Sequence, residues 1–212
     1  MTYRTLVNLP VVLTVCPLLA LSGIVGGKVS KPHSRPYMAS LQFQGHHSCG
    51  GILIEKNFVL TAAHFLLSSL SQLKTNAKLN EYVQPIDLPN DDGKIPANIK
   101  CVVAGWGKTG TNKPSSNVLK ETTEQLQFSF ECRYIWKEYF RSNHMICTKV
   151  IKKGDSGGPL LCNNKPQGII AFTEGKDCNN PKYPHVFTKI HFFLPWIKKI
   201  MKKYDNVTSA ST

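Results

Sequence analysis

Acidic residues are scarce in this 212-residue chain: 13 Asp and Glu stand against 26 Lys and Arg, a formal net charge of +13. The scarcity has a local extreme, because no Asp or Glu occurs between His64 and Glu81. None of the seven cysteines falls in a CxxC spacing, so nothing supports a zinc site. Beyond residue 21 no apolar run is long enough to span a bilayer. There is no internal repeat and no low-complexity segment, which leaves one large or two small cores as the expected build. No metal and no cofactor are expected.

The surplus of positive charge favours anionic partners: heparin-like sulfated glycans, nucleic acid or acidic membranes. A basic surface that is merely solvated accounts for it equally well, and no motif points to a nucleic-acid-specific site. Residues 1–23 read as a secretory signal. Arg4 is their only charge, an apolar stretch runs from Leu9 to Leu21, and Ala20, Ser22 and Gly23 are small. Pro10 and Pro17 interrupt that stretch, which is short for a span. Removing it takes away Arg4 and Cys16, leaves six cysteines, and makes disulfides plausible in an oxidising compartment.

The chemistry centres on Gly154-Asp155-Ser156-Gly157-Gly158-Pro159. Small neighbours leave the Ser156 hydroxyl open to a substrate, and the glycines permit a tight backbone around it. The N–H groups of Gly154 and Ser156 can then converge on a developing oxyanion. An ordinary Gly-Ser turn is the bland alternative. All six residues together resemble the nucleophile loop of the chymotrypsin-family serine proteases. A serine needs a base, and Leu60-Thr61-Ala62-Ala63-His64, closing the apolar run Phe58-Val59-Leu60, resembles that family's base motif. Base precedes nucleophile, as in the family.

The resemblance implies an all-β fold of two antiparallel six-stranded β-barrels with a C-terminal helix, the first barrel truncated here. Domain boundaries follow: a signal peptide over 1–23, with at most a very short propeptide, then a peptidase domain over 24–203. The first barrel takes about 24–85, the second barrel and helix about 95–203, and 204–212 form an exposed tail. Strand-like runs fit this plan at Leu41–Phe43, Ser48–Ile54, Phe58–Leu60, Leu119–Phe128, Met145–Cys147, Leu160–Cys162, Gly168–Phe172 and Val186–Lys189. From Phe193 the period changes. Phe193, Trp196, Ile197, Ile200 and Tyr204 share one helical face, while Lys198, Lys199, Lys202 and Lys203 share another. Asn206-Val207-Thr208 is a glycosylation acceptor.

Ile24-Val25-Gly26-Gly27 resembles the family's mature N-terminus, whose amine turns inward onto the aspartate beside the nucleophile, here Asp155. Gly23 precedes it, which disfavours an activating cut after Lys or Arg. Lys31-Pro32-His33-Ser34-Arg35-Pro36-Tyr37-Met38-Ala39 resembles the branch that holds the granzymes, mast-cell chymase and cathepsin G. That implies a monomeric serine endopeptidase acting on polypeptides, secreted or stored in secretory granules. The resemblance pairs Cys101 with Cys162 and Cys132 with Cys147. It places Val150, Ala171, Phe172, Thr173 and His185 around the specificity pocket. None of these is an acid, which disfavours cleavage after Lys or Arg, and Thr173 stands where the family usually has glycine.

Departures are equally specific. Phe65 and Lys152 stand where the family carries the cysteines that bridge to the positions of Cys49 and Cys178. The family's orienting aspartate and several strands are missing between His64 and Leu79, and Asp87, in the connector, is better read as a solvated acid. Two other readings follow. One is a catalytically impaired homologue that binds anionic surfaces. The other is a different hydrolase, since Gly154-x-Ser156-x-Gly158 fits a nucleophile elbow, with Asp177 and His185 in that fold's order; no alternating strand–helix pattern surrounds it.

Overall fold

The computed structural model describes residues 27–62, 70–90, 94–107, 114–150, 158–174 and 180–209. In the first half, β1 (Lys28–Val29), β2 (Met38–Phe43), β3 (His46–Glu55), β4 (Phe58–Thr61) and β5 (Leu70–Gln72) succeed one another. Strands β2-β3-β4-β5 form an antiparallel four-stranded sheet in that order. Gln44 and Gly45 join β2 to β3 with both φ angles positive (49° and 80°), the conformation a two-residue hairpin turn requires. Strand β5 pairs directly with β4, Leu60 opposite Leu70 and Phe58 opposite Gln72. The chain thus returns, immediately after the stretch holding His64, to the strand that led into it.

The second half closes on itself. Strands β6 (Lys100–Gly105), β7 (Lys120–Leu126), β8 (Met145–Val150), β9 (Pro159–Cys162), β10 (Lys165–Phe172) and β11 (His185–Lys189) run in the spatial order β7-β6-β9-β10-β11-β8. Pairing of β7 with β8, Glu124 opposite Val150, completes a six-stranded barrel. Asn163 and Asn164, at φ 51° and 60°, turn β9 into β10. Cys101 and Cys162 sit opposite each other on β6 and β9 and form a disulfide. A second disulfide, Cys132–Cys147, ties helix α1 (Ser129–Trp136) to β8. Both are the expected pairs. The short helix was not expected. Its aromatic-rich sequence has strand propensity, but Glu131 reaches back to accept from the Phe128 N–H at 3.3 Å and satisfies the first turn.

Alternation builds the core. Ile52 and Ile54 face one side of β3 and join Phe58, Leu60 and Leu70; Leu53 faces the other side with Leu41 and Val59. Helix α2 (Ile190–Ser209) lays Ile190, Leu194 and Ile197 on the first of these clusters, together with Ile169 of β10. It therefore bridges the two halves rather than resting on the second barrel alone. Tyr204 packs on Phe58 with ring centroids 6.1 Å apart, and the helix continues to Ser209, past the expected start of the tail. Among the described residues, no helix is long and apolar enough to cross a membrane.

Candidate active site

The seam between the sheet and the barrel gathers the described ends of the two motifs expected to carry the base and the nucleophile. Every residue of β4 is buried, and the Thr61 hydroxyl donates to the Gly50 carbonyl oxygen at 2.7 Å, fixing where the strand ends. The next residue, Ala62, packs against the core of the sheet and against the core of the barrel. On the other side, Gly158 closes the nucleophile motif just before β9. A Cβ at Gly158 would overlap the carbonyl oxygen of Ala104 on β6 and come within 3.5 Å of the Met38 methyl on β2. Only glycine fits against that backbone carbonyl. A small cavity lies on the same seam, lined by Thr61, Ala62, Ile169, Thr188 and Phe193 among others. Ile169 is the register partner of Pro159. The strand leading to the base motif and the strand leaving the nucleophile motif therefore meet across one junction. His64, Gly154, Asp155, Ser156, Ile24 and Cys178 lie outside the described residues.

The expected pocket residues fall at one end of three neighbouring strands. Val150 ends β8, Ala171 and Phe172 end β10 with Thr173 following, and His185 begins β11, the strand between them. Phe172 registers with Val186, and His185 with Thr148. Trp136 of α1 donates its indole N–H to the Pro184 carbonyl oxygen at 3.0 Å and meets Phe172 edge-on at 5.0 Å. Residues 184–186 are thereby held from outside the barrel.

His185 is fully buried, and so is Glu124 of β7. The His185 Nδ1 lies 3.0 Å from Glu124 Oε1, and the Thr148 hydroxyl donates to Glu124 Oε2. The sequence reading named His185 but not Glu124. The signal was present: Thr122, Glu124 and Leu126 alternate inward on β7, so the period of two already put a carboxylate inside the barrel. Burying it alone would be costly, and two polar partners meet it.

A second carboxylate, Glu121, anchors the start of the described chain. It accepts from Ser30 Oγ at 3.0 Å and faces Lys28 Nζ at 3.2 Å and Arg35 Nη2 at 3.3 Å. Burial alone would raise its pKa; the contacts from Lys28, Ser30 and Arg35 outweigh that and hold the carboxyl below its ordinary value. Strand β1 pairs with β7, Lys28 opposite Glu121. The residues that follow Ile24-Val25-Gly26 are thus fixed to the second barrel. On β3, Cys49 is half-buried opposite Leu41. His47 sits with its Nδ1 2.8 Å from Ser40 Oγ and its ring 5.9 Å from that of Trp106, and burial pushes its imidazole pKa down.

A four-stranded antiparallel sheet and a closed six-stranded barrel, with a C-terminal helix packed against both, define a chymotrypsin-like fold. The family described as Trypsin matches residues 24–70 and 68–197, and the chain belongs to that family. It is 34% identical to Mast cell protease 3 of Ovis aries over 236 aligned positions, covering 88% of this chain and 92% of the relative. It is 34% identical to Granzyme B of Rattus norvegicus, with 90% and 96% covered, and 34% identical to Cathepsin G of Mus musculus, with 85% and 86% covered. Among solved structures, neuropsin, a serine protease expressed in mouse brain, superposes with a TM-score of 0.72 at 28% identity, over 84% of this chain and 100% of that one. The family's two matched segments meet at residues 68–70. The 236 positions aligned to the sheep protease exceed the chain's 212 residues, so that alignment opens gaps in this chain.

Proposed function

We propose that this chain is a secreted or granule-stored serine endopeptidase of the granzyme type that lacks the carboxylate orienting its catalytic histidine. One observation carries the reading: Ala62 and Gly158, the described ends of the base and nucleophile motifs, both stand on the seam between sheet and barrel. Ser156 Oγ attacks the scissile carbonyl carbon while His64 accepts its proton. The N–H groups of Gly154 and Ser156 bind the oxyanion. His64 then delivers the proton to the leaving amine, and water hydrolyses the acyl-enzyme by the same steps. The Ile24 amine pairs with Asp155, and the docking of β1 on β7 supports this by holding the N-terminal segment on the barrel that carries Asp155. Val150, Ala171, Phe172, Thr173 and His185 shape the specificity pocket; none of these five is an acid, which disfavours a Lys or Arg side chain there.

The direct pairing of β4 with β5 and the junction of the matched segments at 68–70 support a deletion between His64 and Leu79 that removed the orienting aspartate. A second reading has its own observation. Lys198, Lys199, Lys202 and Lys203 are all exposed on α2, which suits a monomeric cationic homologue binding heparin-like polyanions. The test is a serine-directed covalent probe applied to the purified chain and to its Ser156→Ala form. Slow labelling that Ser156→Ala abolishes is expected. Labelling that survives the substitution would overturn the assignment of the nucleophile.

A further inference from the structure

Helix α1 carries aromatic side chains on its outer face as well as its inner one. Its buried side carries Cys132, in the disulfide to β8, and Trp136, which packs on Phe172 and Tyr183. The opposite face carries Phe130, Arg133, Tyr134 and Lys137, spaced i, i+3, i+4 and i+7, so they form one stripe. Phe130 is 70% exposed and Tyr134 85% exposed. At the helix start, Phe128 stacks on Phe130 with ring centroids 5.5 Å apart while itself 45% exposed. At its end, Tyr139 is 68% exposed in a single 3-10 turn, Lys137–Tyr139, and the exposed Arg141 follows.

An aromatic group loses favourable burial by standing in water, and Phe128 stacked on Phe130 with Tyr134 one turn further along the same stripe form a patch that a lone surface residue does not, with the exposed Tyr139 in the turn that follows. Packing does not explain them, because the helix already satisfies its inward face with Cys132 and Trp136. The charges between the rings are cationic. Arg133, Lys137 and Arg141 make no ion pair among the described residues. Glu138 is the one exposed acid in the same stretch, since Glu131 is held by the Phe128 N–H. Rings that are apolar in body, with hydroxyl tips on two of them and cations interleaved, suit the boundary between lipid headgroups and acyl chains.

We propose that this face of α1 docks on anionic lipid bilayers, with Phe128, Phe130, Tyr134 and Tyr139 entering the headgroup region and Arg133, Lys137 and Arg141 pairing with acidic lipid headgroups. Charge complementarity favours this occupant over a protein groove: the patch is cationic within a chain of net charge +13, and a negative membrane surface attracts every such charge at once. The Cys132–Cys147 disulfide and the Trp136 hydrogen bond hold the helix in place before contact, so little ordering is needed on binding. The lysine face of α2 is a separate surface, and the inference does not depend on the catalytic reading.

The test is co-sedimentation of the full chain with phosphatidylcholine vesicles containing or lacking phosphatidylserine. It is repeated for Phe130→Ser/Tyr134→Ser, for Arg133→Ser/Lys137→Ser, and for a form with the four α2 lysines neutralised. Expected are binding to the phosphatidylserine vesicles and its weakening by each α1 pair. The cationic pair should weaken partitioning on the order of thirtyfold, from the attraction each cation feels near an acidic surface. Emission from the Phe130→Trp variant should shift to the blue with these vesicles and be quenched by a lipid-borne quencher. Four outcomes would overturn the proposal: no vesicle binding by a chain whose far-UV spectrum shows it folded, binding lost only in the α2 form, an unshifted Phe130→Trp emission on bound vesicles, or retention of a protein partner with no affinity for lipid.

Discussion

Glu124 and His185 meet at 3.0 Å with both side chains sealed from solvent. They come from β7 and β11, the two strands that flank β8, and Thr148 of β8 donates to the other oxygen of the same carboxylate. One polar cluster therefore bridges the three strands whose pairing closes the barrel. Removing the carboxylate takes away the partner of the His185 Nδ1 and of the Thr148 hydroxyl, both buried. Glu124→Ala should destabilise the chain by about 3–5 kcal/mol, as breaking a buried pair does, and Glu124→Gln by less. Urea unfolding checks this; a change within about 0.5 kcal/mol for Glu124→Ala, the range of an ordinary surface substitution, would show that the cluster is not holding the barrel.

Acid should weaken the fold over two pH ranges. His47 has a pKa below its ordinary 6.5 because burial disfavours the imidazolium. The unfolded chain therefore takes up a proton first, and stability begins to fall as pH drops below about 6.5. Glu121 has a pKa below 4.5, so its contribution is present above that value and disappears as pH falls through the lower, folded one. His47→Gln should remove the upper step from a plot of stability against pH, and Glu121→Gln should flatten the lower one. An upper step unchanged in His47→Gln would assign it to another group.

Glu121 also holds Lys28, Ser30 and Arg35 to the barrel. Glu121→Ala should cost about 1.5–3 kcal/mol, the range for hydrogen bonds to charged groups. It should also raise the protease sensitivity of the segment around residues 27–35. Limited proteolysis followed by N-terminal sequencing checks this, and an unchanged cleavage rate would contradict the anchoring role.

Gly158→Ala places a methyl group against the Ala104 carbonyl oxygen, which is backbone and cannot swing away. The expected result is a loss of roughly 1–3 kcal/mol from overpacking, with slower labelling of Ser156 by a covalent probe. A Gly158→Ala protein with unaltered melting temperature and labelling rate would mean that the seam is looser than this.

Short apolar runs were legible in the sequence as strands: β4, β9 and β11 lie within a residue of the runs read from Phe58, Leu60, Leu160, Cys162, Val186 and Lys189. The two disulfides followed from family resemblance and from nothing local. Helix α1 was missed because Phe130, Tyr134 and Trp136 favour strands, while the capping by Glu131 and the tether at Cys132 decide for a helix. His185 was singled out, but its partner lies 61 residues away on another strand. Such a pairing is set by sheet topology and cannot be read from spacing. The bridging position of α2 was likewise hidden, because an amphipathic stripe shows which face is buried and not what buries it.

The proposed endopeptidase keeps a nucleophile and a base for peptide hydrolysis but has no carboxylate to orient its histidine. The most direct measurement compares kcat/KM on a panel of peptide substrates for this chain, its Ser156→Ala form, and a form in which the segment between His64 and Leu79 is restored with its aspartate. When such an aspartate is replaced by asparagine in a serine protease, kcat falls about ten-thousand-fold. The predicted result is slow turnover that needs Ser156, and a restored form faster by about three to four orders of magnitude. Equal rates for the chain and the restored form would contradict the account, because some other carboxylate would then be serving His64.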